Sequence, residues 1–466
     1  MVVLAYMPVS CLGPRMSFPK TRPANTRPSA TRSSSPIASI QYLKELQQEL
    51  TSKLSEASEG LLDALVDSTF TFSNQPLRPR THGGSNPQFG ALHNVDSVFG
   101  RSENVWVEGE GMVHAVYFSK SSTSTWSVHY AKRYVQSDTF KLGKRRQRPF
   151  ALPVATGEPT AMLAGYALNM LRLGKPFQNY SNTSVFEHSG KVYTIAENNV
   201  PQEIDLRNLD TVGRHDFGAD GKNLTHKVDL KLDRCTFCHE IGVTTLYNII
   251  MDSPLTFNPS RMLRGAPLID YDKESYARIG VMPRYGDANS VLWFNVEPFC
   301  TFHLVNCHEE DDEVIVRGIR VPPSVLVGLN QAHLTSANDQ GMDEEYFARL
   351  YEWRLNLKTG AVKGRYITGK DVALEFPVIN NQFSGLHHSY AYAQMVHSTA
   401  SLAGGSGTVR PKFGGFAKLY LEEEVSENSK AHIIDTRKFG SEAVAKITLP
   451  QRVPYGFHGA FISKLK

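Results

Sequence analysis

Over most of its length the chain alternates apolar and polar positions with the short period of β-strands. The segments VHAVYF, TWSVHYAKRYV, SVFEHSGKVYTIAE, TLYNIIMD, EVIVRGIRV, YEWRLNLKTGAVKGRYIT and AKITLP are alternating or β-branched, and turns of Gly, Asn, Asp and Ser separate them. Many short strands in one long chain predict an all-β-dominated fold, either a propeller or a large barrel. No strict repeat near about 40 residues is present, so periodicity alone counts no blades. Two stretches depart from this pattern. In 40–68, Leu43, Leu46, Leu50, Leu54, Leu61, Leu62 and Leu65 recur at mostly helical spacing with charges between them. That predicts an amphipathic helix, interrupted near Gly60 and packed on the protein's own core. Residues 158–173, EPTAMLAGYALNMLRL, open on Glu158 and Pro159 and carry few charges, which predicts a buried or membrane-dipping helix. Residues 401–410, SLAGGSGTVR, read as a surface loop, because the spacing and lysine of a phosphate-binding loop are absent.

Composition narrows the class without naming a chemistry. The 466 residues are 41% hydrophobic and 21% charged with a net charge of +4, as in an ordinary globular protein of one large domain or two medium ones. Lys+Arg 50 against Asp+Glu 46 gives no electrostatic case for nucleic acid. No run of about 18 apolar residues is present to cross a membrane as a helix. Five cysteines, an odd number, argue for a reducing compartment and against a disulfide framework. Residues 1–43 contain no Asp or Glu, while Arg15, Lys20, Arg22, Arg27 and Arg32 are spread among Ser, Thr and Pro. This is the composition of an organelle transit peptide; the alternative is a disordered basic tail.

Chemistry enters with the histidines. The run Phe299-Cys300-Thr301-Phe302-His303-Leu304-Val305 is short, apolar and aromatic, bounded by Pro298 and Asn306, and predicts a buried strand. A histidine inside it must satisfy two ring nitrogens where there is little water, so it is either hydrogen-bonded structurally or bound to a metal. Near the C-terminus PYGFHGAF sets His458 among aromatic and glycine residues in a loop constrained by Pro454 and Gly456.

The pairing of WFNVEPFCTFHLVNCHEE with RVPYGFHGAFI resembles the carotenoid cleavage dioxygenase family, which includes the plant 9-cis-epoxycarotenoid dioxygenases. Further blocks stand in the family's order: GGSNPQFGAL, VWVEGEGMVHAVYF, GKVYTIAENN, FCHEIGVTTLYNIIMDSPLTFNP, YARIGVMPRYGD and ALEFPVINNQF. The resemblance covers residue 60 or so to the end. It implies a seven-bladed β-propeller with a helical cap and ferrous iron, Fe(2+), on its axis, held by four neutral imidazoles with no carboxylate ligand. It also implies that dioxygen is added across a conjugated double bond of a carotenoid or apocarotenoid, giving two carbonyl products. Residues 158–173 would then lie at the mouth through which a lipid-dissolved substrate enters, with peripheral membrane contact. The plastid, stroma or thylakoid surface, would be the destination.

By that resemblance His239 in TFCHEIGVTTLY, His303 and His458 are iron ligands. The first family ligand lies in an alanine-histidine-proline-lysine-valine-aspartate block, for which this chain offers Leu224-Thr225-His226-Lys227-Val228-Asp229, without the proline. His226 is therefore either the fourth ligand or a surface histidine. Carboxylates that accept a hydrogen bond from the nitrogen away from the metal orient such rings, and the resemblance gives Glu197 and Glu375 that role. Glu375 also sits in the apolar setting Leu374-Glu375-Phe376-Pro377, where an unpaired carboxylate is costly. Cys235-Thr236-Phe237-Cys238-His239 is in addition a C-x-x-C-H string, the attachment signature of c-type haem. No second C-x-x-C accompanies it, and its flanks continue as the family's do.

The chain departs from the family in length. About a dozen residues separate His226 from His239, where the family carries about one further blade, on the order of 40 residues. A similar length is lost between Leu421 and Ala431, which normally holds a third orienting glutamate, and Phe72 to Gly84 replaces a usual strand. Lost strands expose sheet edges and open a core, at a cost beyond a typical stability of roughly 5–15 kcal/mol. The expectation is a transit-like segment over 1–39, a helix over 40–68 and one propeller oxygenase domain over 69–466, incomplete or irregular in two blades. The alternative is a non-catalytic carotenoid-binding or defective splice-form member of the family.

Overall fold

The alternating segments pair into antiparallel meanders. In the computed structural model the described residues are 60–74, 93–104, 108–197, 199–215, 226–266, 268–272, 274–321, 348–369, 372–396, 413–422, 432–434, 458–460 and 462. Phe70–Asn74 (β1), His93–Ser97 (β2) and Gly100–Glu103 (β3) pair in order. The hairpin of Met112–Lys120 (β4) and Trp126–Tyr134 (β5) forms a separate pair, and Thr156–Gly157 (β6) returns to β3. Ser184–His188 (β7), Lys191–Ile195 (β8), Gln202–Asp205 (β9) and Asp210–Arg214 (β10) make the second four-stranded sheet. Gly242–Val243 (β11) and Tyr247–Asp252 (β12) begin the third. Leu255–Phe257 (β13) and Ile269–Tyr271 (β14) pair beside it, and Ala277–Pro283 (β15) with Leu292–Val296 (β16) completes it. The fourth comprises Leu304–Glu310 (β17), Glu313–Arg320 (β18), Arg349–Asn356 (β19) and Val362–Tyr366 (β20). The fifth comprises Leu374–Val378 (β21), Tyr390–Val396 (β22), Phe413–Tyr420 (β23) and His432–Ile434 (β24). Five four-stranded sheets in sequential order thus stand among the described residues, and the fold is mostly β.

The fourth sheet is covered on both faces, which explains why its second strand reads as the unbroken apolar run VIV. On one face Val305, Ile319 and Leu350 meet Leu374 and the small residues Ala391, Ala393 and Ala417 of the fifth sheet. On the other Val314, Val316, Trp353 and Leu355 meet Ile249, Ile279, Val281 and Phe294 of the third. Each large side chain so buried contributes about 1.5–3 kcal/mol. Glu352, 0% exposed, is paired as burial demands: Arg317 Nε donates to its Oε2 at 2.7 Å, and it also accepts from Arg365 Nε at 3.0 Å. At Gly242 a Cβ would lie 2.5 Å from Cys307 Sγ, so only glycine lets β11 approach β17 this closely.

Three sequence expectations are refined here. Phe299–Val305 is not a strand: only Cys300 bridges, to Val321, and the ladder begins at Leu304, one residue after His303. Phe299 and Cys300 are buried by packing rather than by sheet pairing, which is why their apolar run resembled a strand. Pro159–Leu173 is a helix, with Pro159 in its first turn and Gly174 closing it at positive φ. It is one-sided, burying Ala161, Met162, Gly165 and Asn169 while Leu171 is exposed. Of the predicted helix over 40–68, residues 60–69 are helical, and the part before Gly60 lies outside the described residues. The transit-like segment, the loop 401–410 and the strand AKITLP lie outside them too. No described helix is long and apolar enough to cross a membrane.

Candidate metal centre

His239, His303 and His458 are brought together although long stretches of chain separate them: one ring nitrogen of each lies within 4.8 Å of the others. His239 stands in an irregular segment pinned to β13 by the Thr236–Thr256 bridge and by Phe237 N–H donating to Leu255 O at 2.7 Å. His303 immediately precedes β17, and its carbonyl accepts from Ile319 N–H at 2.9 Å, which fixes the backbone against β18. The His458 ring sits 5.1 Å from that of His303.

Carboxylates back two of the three rings. His239 Nδ1 lies 2.5 Å from Glu197 Oε1, and His303 Nδ1 lies 2.6 Å from Glu375 Oε2. Glu197 follows β8, and Glu375 lies in β21 beside a bulge that ends at Val378. Phe376 takes φ +52, a region costly for a bulky residue, and its N–H donates to Glu375 Oε2 at 2.9 Å. The strained turn thus aims the carboxylate at His303.

With both Nδ1 atoms turned to glutamates, the two Nε2 atoms are the ring nitrogens left to face an ion. They face each other at 3.3 Å. Two lone pairs at that distance repel unless a cation lies between them, and the third imidazole makes the donor set one for a metal ion. Nitrogens bound at about 2.1 Å to one ion lie roughly 3–4 Å apart, so the residues present fit such an ion. The electrostatics agree in sign. Burial alone would lower the His303 pKa, but Glu375, Glu240 and Glu197 outweigh it and hold the ring above its ordinary range. Burial, joined by His303 and His239, pushes His458 down to about 4. Burial raises the Glu197 carboxyl, but the hydrogen bond and charge of His239 bring it below its usual value.

Aromatic side chains surround the rings. Phe302 meets His239 edge-on at 5.7 Å, and Phe376 lies 4.8 Å from His303 and 5.7 Å from His458. Phe413 in turn packs on Phe376 at 5.6 Å.

His226 is elsewhere. It is exposed, its Nε2 lies 2.8 Å from Gly286 O and its ring rests on Tyr285. Of the C-x-x-C-H string, the His239 ring turns to His303, while Cys235 and Cys238 are not in a disulfide. Cys238 donates to Glu240 O at 3.6 Å, and burial pushes its pKa up to about 12. Sequence reading missed Glu240, whose Oε2 accepts from Leu304 N–H at 2.6 Å and so links the His239 segment to the start of β17. Burial raises its pKa against the pull of His303 and His239. The available signal was a charge inside the apolar string CHEIGV.

The chain is similar to known proteins along most of its length. The family model described as "Retinal pigment epithelial membrane protein" matches residues 82–225, 218–428 and 419–463. The match is in three pieces that meet near the two blade-sized shortfalls seen in the sequence. The carotenoid 9,10(9',10')-cleavage dioxygenase 1 of Pisum sativum is 25% identical over 452 residues, covering 77% of this chain and 81% of its own. The 9-cis-epoxycarotenoid dioxygenase NCED2, chloroplastic, of Oryza sativa subsp. japonica is 26% identical, covering 82% of this chain and 78% of its own. Among solved structures, the lignostilbene dioxygenase of Pseudomonas brassicacearum shares the fold with a TM-score of 0.54 at 18% identity, over 79% of this chain and 77% of that one. A Synechocystis apocarotenoid oxygenase mutant does so at 0.52 and 17%, over 70% and 73%. With matched segments running in order through most of its length, this chain belongs to the retinal pigment epithelial membrane protein family, that of the carotenoid cleavage dioxygenases.

Proposed function

We propose that this chain is an Fe(II)-dependent dioxygenase that cleaves a conjugated double bond of a carotenoid or apocarotenoid into two carbonyl products. The observation that carries the reading is the convergence of three imidazoles within 4.8 Å, two of them backed by carboxylates. His239, His303 and His458 would hold the iron. Glu197 and Glu375 would fix the tautomer and direction of the first two rings. Bound ferrous iron supplies the activation of dioxygen. The protein's part is to present neutral nitrogens, to exclude water with Phe302, Phe376 and Phe413, and to position an apolar polyene beside them. The five four-stranded sheets are then blades of the family's seven-bladed propeller, with two blades re-closed irregularly. Pro159–Leu173 would touch a membrane surface through residues such as Leu171, 66% exposed. The chloroplastic relatives favour a plastid address, at the stroma or thylakoid surface.

A second reading, carotenoid binding without cleavage, is favoured by the three-piece family match and by the position of His226 away from the other histidines. The test is anaerobic reconstitution with Fe(II), followed by oxygen uptake and product analysis with a carotenoid. Near one iron per chain, lost on His303→Ala, together with carbonyl products supports cleavage. Carotenoid bound with no products supports the second reading, and a folded protein without iron overturns the first.

A further inference from the structure

A second group of imidazoles lies on the strand that follows His303. His308 and Glu310 share one face of β17, two residues apart, and His387 reaches them from the turn before β22. One donor atom of each lies within 4.8 Å of the others. Five residues of extended chain separate His308 from His303, roughly 16 Å, so this group is distinct from the first.

The group is held in place from behind. Asn306, on the same face of β17, donates to Phe383 O at 2.9 Å and Leu386 O at 2.8 Å and accepts from Gly385 N–H at 2.9 Å. Its amide nitrogen also lies 3.0 Å from His388 Nδ1. The turn that carries His387 is therefore fastened to β17 before any ligand arrives. His308 is 1% exposed, with Nε2 3.1 Å from Glu310 Oε1, while its Nδ1 is buried with no partner among the described residues. A neutral imidazole in that position leaves a buried polar atom unsatisfied. Ligand atoms bound at about 2.0–2.1 Å to one tetrahedral ion lie roughly 3.3 Å apart, close to the 3.1 Å between His308 Nε2 and Glu310 Oε1. Glu310 Oε1 is the oxygen placed to bind an ion, because Arg354 engages Oε2 at 2.6 Å. The nearby Arg317 is already paired with Glu352.

We propose that His308, Glu310 and His387 form a second metal site, for one divalent transition-metal ion of the zinc class. Two imidazoles and a carboxylate, with a place left for water, suit Zn2+ and exclude the hard cations Mg2+ and Ca2+, which take oxygen ligands.

The test uses the full chain, stripped of metal and dialysed against Zn2+, with zinc per chain measured in four proteins: wild type, His239→Ala, His387→Ala and the double variant. His387 is half exposed, so its replacement leaves the fold intact, and unfolding of the metal-free proteins checks this. The expected result is one zinc equivalent lost on His387→Ala in the wild-type and in the His239→Ala background. Zinc raises the melting temperature of His239→Ala and leaves that of the double variant unchanged. Glu310→Gln weakens the zinc retained by His239→Ala by about 10–100-fold. Equal zinc with and without His387 overturns the proposal. So does the absence of zinc from His239→Ala, which would leave only the first centre.

Discussion

At the residue scale, the facing Nε2 atoms of His239 and His303 make their carboxylate partners measurable. Replacing Glu375 by Gln keeps the volume but removes the charge that orients His303. The expected outcome is iron still bound, about 10–100-fold more weakly, in anaerobic competition with a chelator. Glu110 gives a separate, pH-resolved prediction. Burial pushes its carboxyl up to about 7, although Ser137 Oγ donates to it at 2.9 Å. The folded chain therefore holds a proton that the unfolded chain releases near 4.5. That contribution is complete below the unfolded value and is lost as pH rises through about 7. Wild type and Glu110→Gln should melt together near pH 4, and the variant should be the more stable at pH 8–9 by on the order of 3 kcal/mol. His303 and His458 stood out in the sequence because apolar and glycine neighbours isolate them. Glu240 and Asn306 did not, because what makes them matter is a partner more than sixty residues away.

At the scale of elements, sequence signals located starts and stops better than interiors. Glu158 and Pro159 marked the start of the long helix, yet its apolar appearance hid Asn169, which is fully buried. Asn169 Oδ1 accepts from Leu152 N–H at 3.0 Å, and Nδ2 donates to Leu152 O at 2.8 Å and Pro176 O at 2.7 Å. The helix is thus tied to the loops on both sides by one amide. Asn169→Ala strands three buried backbone groups and should destabilise the chain by roughly 2–4 kcal/mol, read from the urea midpoint at unchanged slope. The run before β17 shows the opposite failure. Its buried, apolar composition reads as a strand, but Pro298 and the single bridge at Cys300 leave it as the loop that carries His303. The bulge that aims Glu375 was equally hidden, since backbone φ at Phe376 has no signature in composition.

For the whole molecule, the β class was legible from alternation, whereas blade number was not, because the sheets differ in length and linkage. Neither the helix ends nor the strand pattern signals which sheets meet around the histidines. A ligand that binds only the closed arrangement stabilises it by mass action. Fe(II) at 100 times its dissociation constant should add about 2.7 kcal/mol to unfolding stability. A thermal shift should appear in the wild type and vanish in His303→Ala, when measured at an Fe(II) level that fills the first centre alone.

The ring pair of His239 and His303 spans 64 residues of chain, and the carboxylate behind His303 lies 72 residues further on. An ion held there acts as a reversible cross-link, closing loops long enough for the constraint on the unfolded chain to be large. The segments it joins belong to successive sheets, so the nitrogens converge only once those sheets have docked. On the proposed reading metal uptake would then come last in maturation and would inspect the assembly: a chain whose sheets fail to close would present separated histidines and keep no ion.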